Sequence, residues 1–168
     1  MANLALLGGP RTIDRERATS WKVPAVSEAG IAAATEIMRK GEISRSRIVQ
    51  EFEQRFAEYA GAAHALALTS GTDAMQVALA AWGIGPGDEV ITTPLTFCST
   101  LHTIVHVGAT PVLADVSPED YNLDPAHVAE RLSPKTKAIL AVHLAGLPCP
   151  MEALLELASR VPSSDVEH

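Results

Sequence analysis

The sequence predicts an α/β fold built on a mostly parallel sheet, and three observations predict it. From His64 onward, short apolar runs bounded by turn residues alternate with helix-length segments. Parallel strands require helical crossovers, so such alternation reads as a parallel sheet. The run from Lys137 to His143 is almost continuously apolar, as expected of a strand covered on both faces. Finally, 168 residues with 47% apolar and 20% charged side chains suffice for a real core. A chain of this size buries about 68–70% of the surface its unfolded form exposes.

Residues 1–26 are punctuated by Gly8, Gly9, Pro10 and Pro24 and hold no period. Ser27 caps a helix reaching to about Lys40, with Ile31, Ala34 and Ile37 at helical spacing and Gly41 as the stop. A second helix runs from about Arg47 to Ala60. Its Ile48, Phe52, Phe56 and Tyr59 form one stripe, read as core or interface packing, and Gly61 suits a left-handed cap. Strands are expected at Ala65 to Thr69, Glu89 to Thr92, Pro111 to Asp115 and Lys137 to His143. Helices are expected at Thr72 to Trp82, Thr96 to Val107, Pro125 to Leu132 and Met151 to Arg160. Asp124-Pro125 is a sound helix start, because the carboxylate caps and proline suits the first helical position. The tail after Arg160 is polar and broken by proline where a further strand is expected. The expected organisation is an N-terminal arm with helices over 1–60, a sheet domain over 61–160, and a tail over 161–168.

Charge and cysteine content narrow the function. Thirteen basic against twenty acidic side chains leave a net charge of -7, which argues against a nucleic-acid surface or a polybasic membrane patch. Cys98 and Cys149 are far apart and lack metal-type spacing. MANLALLGGP has no positive segment and too short an apolar run for a secretory signal, and no run approaches the ~20 residues of a membrane span. The expectation is a cytoplasmic domain with no membrane or nucleic-acid partner.

Thr69-Ser70-Gly71-Thr72, between a strand and a helix, is the most informative stretch. A helix N-terminus offers unpaired N–H groups and partial positive charge, glycine admits close approach, and the Ser70 and Thr72 hydroxyls add donors. The local sequence reads first as a plain Ser/Thr cap, with a phosphate site as the alternative. Asp73 repels an anion unless its side chain turns away. Gly83-Ile84-Gly85-Pro86-Gly87 closes a helix instead of opening one, so it reads as a stop and turn, neither a dinucleotide loop nor a P-loop. Phe97 follows a strand end, where an aromatic ring either stacks on a planar heterocycle or packs in the core. His102 and His106 share a helix face, but no third ligand is evident, so no metal is expected. His143 ends a strand near the same crevice and reads as a structural histidine or a catalytic one.

In order and spacing, several segments resemble the DegT/DnrJ/EryC1/StrS family of sugar aminotransferases. They are Gly41-Glu42-Ile43-Ser44, Glu51-Phe52-Glu53, Ser70-Gly71-Thr72-Asp73-Ala74-Met75 and the run Gly83 to Ile91. Pro94-Leu95-Thr96-Phe97, Gly108-Ala109-Thr110-Pro111-Val112, Tyr121-Asn122-Leu123-Asp124 and Thr136-Lys137-Ala138-Ile139 complete the series. Leu7-Gly8-Gly9-Pro10 looks similar to members acting on cyclitols or aminoshikimate-type precursors. The resemblance implies the three-layer large domain of the type I (aspartate aminotransferase-like) fold, present in part. It implies pyridoxal 5'-phosphate as cofactor, with Ser70, Gly71 and Thr72 at its phosphate and Phe97 stacked on its ring. It also implies amino transfer from glutamate or glutamine to a keto sugar or cyclitol, in a homodimer.

One departure bears on activity. Such chemistry needs a lysine for the Schiff base and an acid opposite the pyridine nitrogen, which the family carries downstream of the matched region. The four lysines here, Lys22, Lys40, Lys135 and Lys137, occupy no such context, and no strand aims Asp165. The expectation is an N-terminal portion of an aminotransferase, inactive alone, with no catalytic residue of its own. The alternative is a non-catalytic partner or pseudo-enzyme subunit. An unrelated nucleotide-binding domain lacks its motif. An unfinished sheet with an open edge at Ala138 to Val142 is expected to self-associate, which sedimentation checks: a clean monomer contradicts it.

Overall fold

The structure is a computed structural model that describes residues 25–44 and 46–161. The readings on residues 1–24, including Lys22 and Leu7-Gly8-Gly9-Pro10, and on the tail with Asp165 lie outside these residues. The chain divides into two compact units, Met1–Leu66 and Ala67–His168.

The first unit contains helices α1 (Glu28–Lys40) and α2 (Arg47–Ala60). Ser27 caps α1 by accepting from the Gly30 amide at 3.1 Å, and Gly41 and Gly61 end the helices at φ +69° and +66°. These boundaries match the sequence reading. Of the two alternatives for the α2 stripe, core or interface packing, the core one does not hold. Phe52, Phe56 and Tyr59 are 56%, 51% and 90% exposed, so they are not core. Periodicity marks a face that favours burial but does not supply the opposing surface. The rings of Phe52 and Phe56 meet each other instead, with centroids 5.8 Å apart.

The second unit contains α3 (Gly71–Ala81), β1 (Glu89–Thr92), α4 (Ser99–His106), β2 (Thr110–Leu113), α5 (Pro125–Arg131), β3 (Thr136–Leu140) and α6 (Met151–Ala158). The strands form one parallel sheet in the order β2-β1-β3. Val90 and Ile91 are fully buried and face opposite layers, because successive strand side chains alternate. Val90 packs with Leu79 of α3 and Ile104 of α4. Ile91 packs with Val128 of α5 and with Leu154 and Leu157 of α6. The result is three layers, as the family resemblance implied.

Residues 65–69 are not a strand. A strand exists only by pairing, and the β2-β1-β3 ladder does not include this run. Leu66 is 69% exposed, so the apolar pattern that suggested a covered strand goes unburied. The expected strand 137–143 stops at Leu140, and His143 leads instead into a 3₁₀ turn over Leu144–Gly146. The expected strand 111–115 spans Thr110–Leu113, and the expected helix 96–107 begins at Ser99. Gly83 and Gly87, at φ +70° and +98°, turn the chain from α3 into β1 as the stop reading required.

Gly108 turns α4 into β2 at φ +85°, and a Cβ there would lie 3.0 Å from Cγ of Pro86. Left-handed strain and the proline contact act together. Gly108→Ala is expected to lower the unfolding free energy by about 1–3 kcal/mol in urea titration.

Candidate functional site at the carboxyl end of the sheet

Topology collects the candidate residues. After β1 the chain turns toward the layer of α3 and α4, whereas after β2 and β3 it turns toward the layer of α5 and α6. Neighbouring strands whose connections leave to opposite faces open a crevice over their carboxyl ends. The loop carrying Phe97 leaves β1 at that end, and His143 follows β3 there. α3 runs back into the amino end of β1 through residues 82–88, so its opposite terminus, at Gly71, points toward the carboxyl end.

The start of α3 is built from side chains of its own sequence. Ser70 is the cap, its Oγ accepting from the Asp73 amide at 3.1 Å and donating to Asp73 Oδ2 at 3.0 Å. Thr69 Oγ1 also donates to that carboxylate. These two hydroxyls, Thr69 first, hold the Asp73 carboxyl below its usual range. Ser70 is a cap, as one reading held, while the Gly71 and Thr72 amides make no hydrogen bond among the described residues. The Asp73 charge is held by neighbouring hydroxyls, so part of its repulsion toward an anion is offset. A Cβ on Gly71 would meet no atom within 4 Å outside its own helix backbone and chain neighbours, so the space beside Gly71 is open.

Phe97 is 76% exposed, which excludes the core alternative for its ring. Its loop is braced from within: Leu95 N donates to Thr93 Oγ1 at 3.0 Å, and the Thr96 and Thr100 hydroxyls lie 2.9 Å apart. Thr92 Oγ1 ties β1 to β3 by donating to the Leu140 carbonyl at 2.8 Å. His102 and His106 stack with centroids 6.1 Å apart, and His106 Nδ1 lies 3.4 Å from Gln76 Oε1 on α3. Among the described residues no group of three or more His, Cys, Asp or Glu side chains converges. No helix among them is long and apolar enough to cross a membrane.

Sequence reasoning missed the buried Asn122. Its Nδ2 donates to the Leu147 and Pro148 carbonyls at 3.3 and 3.4 Å, and its Oδ1 accepts from Leu144 N at 3.1 Å. One amide thus clamps the loop after β3 to the loop after β2. The only signal was Tyr121-Asn122 in a turn, and Tyr121 takes φ +60°, which places Asn122 inward.

A family model matches residues 24–162, that of the DegT/DnrJ/EryC1/StrS aminotransferase family. The chain belongs to this family. The spore coat polysaccharide biosynthesis protein SpsC of Bacillus subtilis is 46% identical over 138 residues, covering 82% of this chain and 36% of that protein. GDP-perosamine synthase of Caulobacter vibrioides is 48% identical over 117 residues, covering 70% of this chain and 32% of that protein. A sugar-aminotransferase homologue from Streptococcus pneumoniae, solved in its PLP form, superposes with a TM-score of 0.81 at 31% identity. That match covers 84% of this chain and 37% of the solved one. The chain thus spans about a third of the length of the curated relatives it matches. Pyridoxal phosphate is the cofactor of the family. The type I fold is present here as a small open parallel sheet with its helical layers.

The lowered Asp73 value has a stability consequence. A carboxyl depressed in the folded state adds stability above its ordinary value, about 3.9, and loses it as pH falls through the folded value. Thermal melts of the parent are expected to fall more steeply than those of Asp73→Asn between about pH 5 and about pH 3.

Proposed function

We propose that this chain forms the phosphate-holding and ring-stacking part of a pyridoxal-phosphate-dependent aminotransferase. The transfer runs from glutamate or glutamine to a keto sugar or cyclitol. One observation carries the reading: two unpaired amides, Gly71 and Thr72, at the start of an eleven-residue helix over open space. A phosphate fits there, because those N–H groups and the Thr72 hydroxyl donate to it and the helix dipole favours its charge. Ser70 closes the turn beside it, and the exposed Phe97 face covers the pyridine ring. Bound pyridoxal phosphate supplies the electron sink for moving an amino group, while these residues bind and orient it.

The organisation in this reading is an arm with helices over 1–60, the cofactor domain over 61–160, and a tail over 161–168. Homodimeric assembly in the cytoplasm, without nucleic-acid or membrane partners, completes it. Lysine placement favours a second reading for the 168 residues by themselves, that of a non-catalytic subunit. Lys40 ends α1, paired with Glu36 at 2.6 Å, while Lys135 and Lys137 lie at the amino end of β3, opposite the crevice. No lysine among the described residues is positioned to anchor the cofactor covalently.

Two experiments test this. Gly71→Ala adds a methyl that meets no atom within 4 Å outside its own helix among the described residues, so its melting temperature should match the parent's while pyridoxal phosphate affinity drops. Thr72→Val should lose about tenfold in affinity, the worth of one hydrogen bond to a charged group. Equal affinities in both variants overturn the phosphate site. Borohydride treatment of the chain with pyridoxal phosphate should leave every lysine unlabelled in peptide mapping. Specific labelling of a single lysine overturns the non-catalytic reading.

A further inference from the structure

His143 has a fixed hydrogen-bonding state. The Cys149 amide donates to its Nδ1 at 3.0 Å. A nitrogen that accepts carries no proton, so the ring proton sits on Nε2, and Nε2–H is a donor. The ring is exposed, and Nε2 has no partner among the described residues. The segment that fixes this state is braced on several sides. Asn122 holds Leu144, Leu147 and Pro148, while the buried Cys149 thiol donates to the Val142 carbonyl at 3.0 Å. Ala145 within it is held at φ +51°, a conformation that side-chain-bearing residues keep only when their surroundings impose it.

We propose that His143 is a ligand-binding residue whose Nε2–H donates to an anionic oxygen of the molecule bound over the carboxyl end of β1. Asn122 and Cys149 are its positioning residues. Three observations converge on this role. His143 follows β3, which pairs directly with β1, so it flanks the crevice on the side opposite β2. Its tautomer is set by a backbone amide, which cannot itself change protonation. The clamped segment holds an exposed ring in one orientation, with only its Nδ1 engaged by the protein among the described residues. The proposal rests on the cofactor reading above, and the acceptor is an oxygen of the cofactor's phosphate or of its ring.

The test separates donor from acceptor within the imidazole. His143→Asn keeps an acceptor for the Cys149 amide but removes the distal donor, whereas His143→Gln restores an N–H at the distal position. Equilibrium binding is measured with inorganic phosphate and with pyridoxal phosphate, alongside thermal melts and histidine-selective nitrogen spectra. The Asn variant should melt with the parent and bind pyridoxal phosphate about tenfold more weakly, and the Gln variant should recover most of that loss. Asn122→Ala should weaken binding similarly while also lowering the melting temperature. A matching loss toward inorganic phosphate assigns the phosphate oxygen, and a loss confined to pyridoxal phosphate assigns the ring oxygen. Equal affinities of parent and Asn variant, or a spectrum with the proton on Nδ1, overturn the proposal. A parent that binds neither probe overturns the cofactor site itself and the His143 role with it.

Discussion

The arrangement depends on one constraint, the burial of β1 between two parallel neighbours. Val90, Ile91 and Thr92 are each fully buried, so the strand accepts no solvent on either face. Parallel pairing on both sides means the chain must travel the length of the sheet before each new strand, which calls for a crossover each time. Every loop at the carboxyl end is therefore brought over the same strand. Gly71, Phe97 and His143 are far apart in sequence, yet each lies in a segment that the element order sends to that end of the sheet.

Two kinds of force hold the loops there. The layers beneath are apolar: Ile91, Leu123, Val128 and Leu154 on one face, Val90, Leu79 and Ile104 on the other. Burying each such side chain is worth about 1.5–3 kcal/mol, and this fixes the helices but says nothing about loop conformation. The loops are set by hydrogen bonds instead. Asn122 satisfies two carbonyls and one amide from a loop some 22 to 26 positions later. A buried amide with both ends engaged is costly to misplace, since an unpaired polar group loses about 1–3 kcal/mol. That cost orients the segment around His143 in a way apolar packing does not.

The overall charge and the local site pull in opposite directions. A net charge of -7 disfavours an incoming anion at long range. At physiological ionic strength that field is screened within about 8 Å, whereas the first-turn amides of α3 act at hydrogen-bond distance. The nearest negative charge, Asp73, is engaged by the hydroxyls of Thr69 and Ser70. At the proposed phosphate site, donors inside the screening length outweigh the long-range field.

The sequence by itself determined the elements whose causes are local. Ser27, Gly41 and Gly61 delimit α1 and α2 because capping involves only neighbouring residues, and Asp124-Pro125 opens α5 for the same reason. The ordered motifs from Ser70 to Thr136 carried the family, and Gly71, Thr72 and Phe97 were legible as candidates because a glycine at a helix start and an aromatic after a strand have few uses. What involves distant partners was not legible. Whether residues 65–69 pair, whether the α2 stripe is covered, and where the strand through His143 ends all turn on surfaces remote in sequence. The clamp of Asn122 and the hydrogen bond from the Cys149 amide to His143 were invisible for that reason. An asparagine in a turn looks the same whether it faces water or joins two loops, and only tertiary structure supplies the carbonyls that make it a clamp.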